Sequence, residues 1–146
     1  MVLGENFSKS PEIFNKSKKY FKDHILHWGY AESFEDYAKW LWRSHILPVT
    51  SNQEFFGVSV MEAIYCGIWP ILPMRLTYPE LIPNNSINFY KEKDELYQKI
   101  KWALKNYKVI DTKNLKKRAR MFCWRNMKNK YDKSIRKIST DLKDLF

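Results

Sequence analysis

Cysteine is almost missing from this chain: 146 residues hold two, Cys66 and Cys123. Cys66 falls in an apolar, helix-like stretch and Cys123 stands beside Trp124, a pattern that fits neither a disulfide framework nor a zinc site. Such usage suits a reducing compartment, and a cytoplasmic location is expected. Long hydrophobic runs are missing too. No stretch reaches the roughly 18 consecutive apolar residues that a membrane-crossing helix needs, and the first residues lack the charged-then-apolar order of a signal segment. Neither export nor a membrane span is expected. The three histidines, His24, His27 and His45, show no metal-ligand spacing, and strand histidines are more often satisfied core residues.

Acidic residues run out towards the end. Residues 1–97 hold 10 Lys and Arg against 12 Asp and Glu, a net of −2, whereas residues 98–146 hold 16 against 4, a net of +12. The tail therefore carries the basic character. Two readings fit it: a polyanion partner, for which tRNA would be suitable, or helix faces that are simply solvated.

What is present is an alternation of strand-like and helix-like segments. A chain of this length makes one domain and buries about two thirds of its unfolded surface, enough for a core without staples. Met1–Gly4 reads as a strand. Helical spacing of Ile13, Phe14, Ser17, Tyr20 and Phe21 predicts a helix over 11–21, with Ser10 as cap and Pro11 in first position. Ile25–Gly29 reads as a strand, and Ser33 opens a second helix in the manner of a capping box, with Phe34, Tyr37, Ala38 and Leu41 on its apolar face. His45–Thr50 is a buried strand, followed by the polar turn Ser51-Asn52-Gln53. Trp69–Pro73 is a further strand, whose prolines place it near an end or an edge. Arg75–Asn85 is a loop with room for one helical turn, Ile87–Tyr90 a short strand, and a helix runs from about Asp94 to Tyr107. Asp111–Phe146 is helical in pattern. Strand and helix alternating over short connections argue for an α/β fold, a parallel sheet with helices on both faces.

The stretch with chemistry is Gln53–Ala63. Val58, Met61, Ala63, Ile64 and Tyr65 make an apolar helix there, and Gly67 ends it. The first amides of a helix have no partner inside it and sit at the positive end of its dipole, so this junction suits a phosphate. Gly57, without a side chain, lets a ligand come close to the backbone. Glu54 on the loop can accept hydrogen bonds from ligand hydroxyls, and Glu62, one to two turns into the helix, can accept two at once, as a ribose presents. Two glutamates at this spacing can also be solvated surface residues. The corner they occupy, at a strand end and a helix start, is where open α/β sheets bind nucleotides.

Glu54-Phe55-Phe56-Gly57-Val58 and Met61-Glu62-Ala63 together resemble the motif of the retaining glycosyltransferases of family 4. Leu3-Gly4-Glu5, Leu26-His27-Trp28-Gly29-Tyr30, Tyr65-Cys66-Gly67 and Tyr78-Pro79-Glu80 extend the resemblance over residues 1–83, towards the tRNA-queuosine α-mannosyltransferase branch. Phe122-Cys123-Trp124 is similar more loosely. The resemblance implies a Rossmann-like domain that is the C-terminal, donor-binding half of a GT-B fold. Residues 1–107 would form that nucleotide-sugar domain, lacking its first strand, with residues 108–146 as a basic helical segment packed on it.

The same resemblance implies roles. Glu62 would hold the donor ribose; Glu54, the catalytic candidate, would face the hexose. Amides around Phe55, Phe56 and Gly57 would contact the sugar, and those near Gly57 and Val58 the distal phosphate. Tyr30 would border the base, Gly4 and Glu5 would close the pocket floor, and Thr50 and Ser51 would reach phosphate from a strand end. For Thr50 and Ser51 a plain turn cap is the alternative. The implied reaction moves a hexose, mannose from GDP-mannose, to a hydroxyl of queuosine in tRNA. Family 4 needs no metal, and no Asp-x-Asp motif occurs; no cofactor is expected beside the nucleotide-sugar substrate. An acceptor-binding N-terminal GT-B domain is the implied partner, so this chain alone is not expected to turn over. The donor domain of a family 4 enzyme acting on lipid or polysaccharide, and a non-catalytic RNA- or partner-binding module, are the alternatives.

Overall fold

The computed structural model describes residues 1–4, 11–82 and 86–143. Two compact units divide the chain, Met1–Arg43 and Ser44–Phe146. In the first, β1 (Val2–Leu3) pairs in parallel with β2 (Trp28–Gly29), Val2 opposite Trp28 and Leu3 opposite Gly29. Helix α1 (Glu12–Tyr20) leads into a 3-10 turn at Lys22–His24. Pro11 stands at the flanking cap position instead of the first helical one, and Ser10 lies outside the described residues. None of α1 is buried; Ile13, Phe14, Tyr20 and Phe21 are all exposed. Helix α2 (Phe34–Trp42) starts as expected at Ser33, whose hydroxyl accepts the Asp36 amide at 3.1 Å, and the helix buries Leu41.

The second unit is a three-stranded parallel sheet, ordered β3 (Ile46–Pro48), β4 (Trp69–Pro73), β5 (Phe89–Tyr90). Helix α3 (Val58–Cys66) joins β3 to β4, and the single turn α4 (Tyr78–Leu81) precedes β5. After β5 come α5 (Lys93–Asn106), α6 (Lys113–Arg120) and α7 (Trp124–Lys143). The expected α/β architecture is present: parallel strands linked by helices, the arrangement of a Rossmann-like domain and in line with the C-terminal half of a GT-B fold. One core joins Val60, Met61 and Ile64 of α3, Ile71 and Leu72 of β4, Tyr78 and Leu81 of α4, Ala103 of α5, and Leu115 and Ala119 of α6. The helical pattern from Asp111 onward breaks in two at 121–123, where Phe122 and Cys123 bond back to Ala119 and Arg120 and Phe122 packs against the core.

The prolines of β4 do not put it at an edge: it is the central strand, buried throughout. Alternate residues of a parallel strand turn their amides to opposite neighbours. Trp69 donates to His45 and Val49 donates to Ile71, so odd-numbered residues of β4 face β3; Met74 donates to Tyr90, so even-numbered ones face β5. Pro70 lacks its N–H on the β5 side, before pairing begins at Leu72 opposite Phe89; its carbonyl there takes the Asn88 side chain at 2.6 Å. Pro73 lacks the N–H that would meet the Val49 carbonyl, and the Tyr90 hydroxyl supplies that bond at 2.7 Å. The first missing donor faces a stretch where β5 is not yet paired, and the second is replaced by a side chain.

Candidate functional site

The carboxyl ends of β3 and β4 open into two loops, Val49–Gly57 and Met74–Thr77. Parallel strands put all their carboxyl ends on one side, so both loops rise from the same edge of the sheet. Gly57 caps α3 at φ 82, a left-handed conformation, and Gly67 ends it at φ 94. A side chain at Gly57 is excluded twice over: the backbone disfavours it, and a Cβ would stand 2.7 Å from Leu81 Cδ1 of α4. The group that comes closest to this glycine is the protein's own α4, which locks the start of α3 against it.

Glu54 is half-buried and shapes its loop from within. Its Oε1 accepts the Phe55 amide at 3.0 Å and the Gly57 amide at 2.9 Å. Two of the amides expected to meet the sugar are thus already satisfied by Glu54, and its Oε2 has no hydrogen-bond partner among the described residues. Phe55 is fully exposed, while Phe56 turns edge-on to Phe122 with ring centroids 5.5 Å apart. The solvent-facing side of α3 carries Val58, Glu62 and Tyr65, spaced to share one face; Glu62 is half-buried in the second turn. Cys66, one turn beyond Glu62, has its thiol pKa raised by burial, offset by Lys116 and reinforced by the Glu62 charge.

Thr50 and Ser51 are exposed at the end of β3. Ser51 offers its carbonyl, and Asn52 its side-chain oxygen, to one terminal nitrogen of Arg75, each at 3.1 Å. Arg75 is the residue that sequence reading missed. It belongs to the loop after β4, and the signal that could have found it is weak: a lone arginine following a strand and preceding Tyr78-Pro79-Glu80. Tyr78, fully buried, packs beneath the Glu54 loop. Its pKa is raised, first by burial, with Ser51 drawing it down and the charge of Glu54 pushing it up.

Glu54, Phe55, Phe56, Gly57, Val58, Glu62, Thr50 and Ser51 therefore share one side of the second unit. Gly4 and Tyr30 lie together in the first unit, at the carboxyl ends of β1 and β2, where the Gly4 amide bonds to the Gly29 carbonyl at 3.1 Å. Gly4 has nothing within 4 Å of where a Cβ would stand, and Tyr30 is exposed. Glu5 lies outside the described residues. His27 bonds to the Gly29 carbonyl and His45 packs on Tyr107; among the described residues no three His, Cys, Asp or Glu gather as metal ligands would. No helix of the described residues is long and apolar enough to cross a membrane.

A parallel sheet joined by helices, with a glycine-capped helix rising from its strand ends, defines a Rossmann-like α/β domain. The particular kind follows from comparison: the pattern of the family described as "Glycosyl transferases group 1" matches residues 3–122, and the chain belongs to that family. Membership implies a transferase with a nucleotide-sugar donor. Over 99 residues the chain is 34% identical to the tRNA-queuosine alpha-mannosyltransferase of Drosophila melanogaster, a match that covers 68% of this chain and 26% of that protein. The matched region spans about a quarter of that relative's length.

Proposed function

We propose that this chain is the donor-binding part of a retaining hexosyltransferase that moves mannose from GDP-mannose to a hydroxyl of queuosine in tRNA. The observation that carries the reading is the pairing of Glu54 and Glu62 across the Gly57 cap. Glu54 holds the loop with one oxygen and keeps the other for a hexose hydroxyl. Glu62, a turn further on the open face of α3, accepts the ribose hydroxyls, and the first amides of α3 meet the distal phosphate. Thr50 and Ser51 add hydroxyls at the β3 end. Fixed amides stabilise the departing diphosphate without a metal, while the carboxylates position the donor through its hydroxyls. The 34% identity to a tRNA-queuosine enzyme supports the acceptor, which an N-terminal GT-B domain outside these residues would bind, in the cytoplasm.

Ligand-observed NMR with GDP, GDP-mannose, UDP and ADP tests this. Guanosine ligands are expected to bind best, down to millimolar affinity, about −4 kcal/mol. Glu62→Ala is expected to abolish that binding with the fold intact, because each charge-assisted hydrogen bond is worth about 1.5–3 kcal/mol. Unchanged affinity in Glu62→Ala removes the residue from the ribose role. A preference for UDP moves the chain to a family 4 branch acting on lipid or polysaccharide.

A further inference from the structure

We infer that Arg75, with Ser51 and Tyr78 around it, forms an anion subsite that takes the distal phosphate of the nucleotide-sugar donor; this rests on the donor reading above.

Arg75 has five N–H donors in a planar fork. Arg75 spends one terminal nitrogen on the Ser51 carbonyl and the Asn52 side chain. Its other N–H groups have no acceptor among the described residues, and no carboxylate there lies within ion-pairing distance. Its two bonds fix the guanidinium over the end of β3. The planar fork is left presenting donors from a held position, the form in which arginine recognises phosphate best.

The backbone holds it there as well. Leu76 has φ 58, a left-handed conformation that a bulky side chain adopts only under constraint, and the Arg75 amide closes a tight turn on Pro73 O at 2.8 Å. An independent sign of a ligand is Tyr78. This residue is fully buried, yet among the described residues its hydroxyl has no partner in hydrogen-bonding geometry, although Ser51 lies close enough to draw its pKa down. Buried hydroxyls are nearly always satisfied, so this one marks a place where an acceptor belongs. Its electrostatic neighbours are Ser51, Glu54, Tyr90 and Arg75, and of these Ser51 and Tyr90 also neighbour the guanidinium. A phosphate oxygen bound here would accept from the fork and from the phenol.

The test follows backbone amide shifts while inorganic pyrophosphate, GDP and phosphate-free guanosine are added to the full chain. Arg75→Gln is expected to weaken pyrophosphate and GDP by about tenfold or more and to leave guanosine unchanged. Tyr78→Phe is expected to weaken pyrophosphate several-fold without lowering the melting temperature, since the hydroxyl it removes has no partner in hydrogen-bonding geometry among the described residues. Lys101→Gln, an exposed lysine on α5, controls for bulk charge. Pyrophosphate that does not bind, or that binds Arg75→Gln as well as the parent, overturns the subsite. GDP that binds through Glu62 but not through Arg75 overturns the subsite and leaves the donor reading standing. Pyrophosphate held through Arg75 with no nucleoside preference does the reverse.

Discussion

At the scale of single residues, the Tyr90 phenol completes a sheet that a proline leaves open. Its hydroxyl donates to the Val49 carbonyl in a buried setting, in place of the N–H that Pro73 lacks. Tyr90→Phe keeps the ring and removes the donor, so a buried carbonyl loses its partner. Unfolding by urea is expected to cost about 1–3 kcal/mol less than in the parent; a loss near zero would mean that the carbonyl finds another donor. The same phenol gives stability an alkaline limit. Burial raises the pKa values of Tyr78 and Tyr90 above the usual 10.0, with Arg75 pulling both back. The unfolded chain therefore ionises first. The contribution is complete below pH 10, and falls as the pH rises through the folded values. Tyr90→Phe should flatten that decline above pH 10.

At the scale of elements, the basic C-terminal segment is part of the site's scaffold. Helix α4 is a single turn, too short to satisfy its own last carbonyls. Arg118 of α6 does so, with Nε on the Leu81 carbonyl at 2.8 Å and a terminal nitrogen on the Glu80 carbonyl at 2.9 Å. Its guanidinium also lies over Phe122, 5.0 Å from the ring centre, and Phe122 meets Phe56 of the Glu54 loop. Removing this arginine should loosen α4, the Leu81 contact at Gly57, and the Phe56 side of the loop together. Arg118→Ala is expected to lower stability by about 1–3 kcal/mol and to shift the amide signals of Gly57 and Leu81; stability within about 0.5 kcal/mol and unmoved signals would refute the brace. Its legibility differs from that of α3. Two glycines bracket the nine apolar-rich residues of α3, and such punctuation is local, so both ends of that helix could be read from sequence. The brace joins residues 37 and 38 positions apart through carbonyls, which leave no mark in side-chain patterns. The central place of β4 was hidden for a similar reason: proline's missing N–H matters only on the side where a neighbour pairs. Arg75 was hidden because Leu76 takes a positive φ where no glycine announces a turn.

At the scale of the molecule, charge and shape divide along the chain. The acidic-to-neutral part holds the sheets, and the last helices carry the net +12. Much of that charge is on α7, which has seven Lys and Arg against two Asp and lies outside the buried core. Its start exposes Trp124 stacked on Tyr131, ring centroids 5.8 Å apart at 28°. Basic side chains next to exposed aromatics suit a nucleic acid, phosphates meeting the lysines and an unpaired base meeting the rings. Solvation alone explains the lysines equally well, and salt separates the two accounts. If α7 meets RNA, affinity for a tRNA should fall by about 0.9 log unit per log unit of salt for each duplex phosphate contacted. Changing Lys133 and Lys137 together to Gln should then lower that slope by roughly two contacts' worth, about 1 per phosphate lost, and weaken binding to unrelated duplexes by the same factor. The fold should be untouched, since both side chains are exposed. A flat salt profile, or a double variant with the parent's slope, would return the lysines of α7 to solvent and leave acceptor recognition to residues beyond this chain.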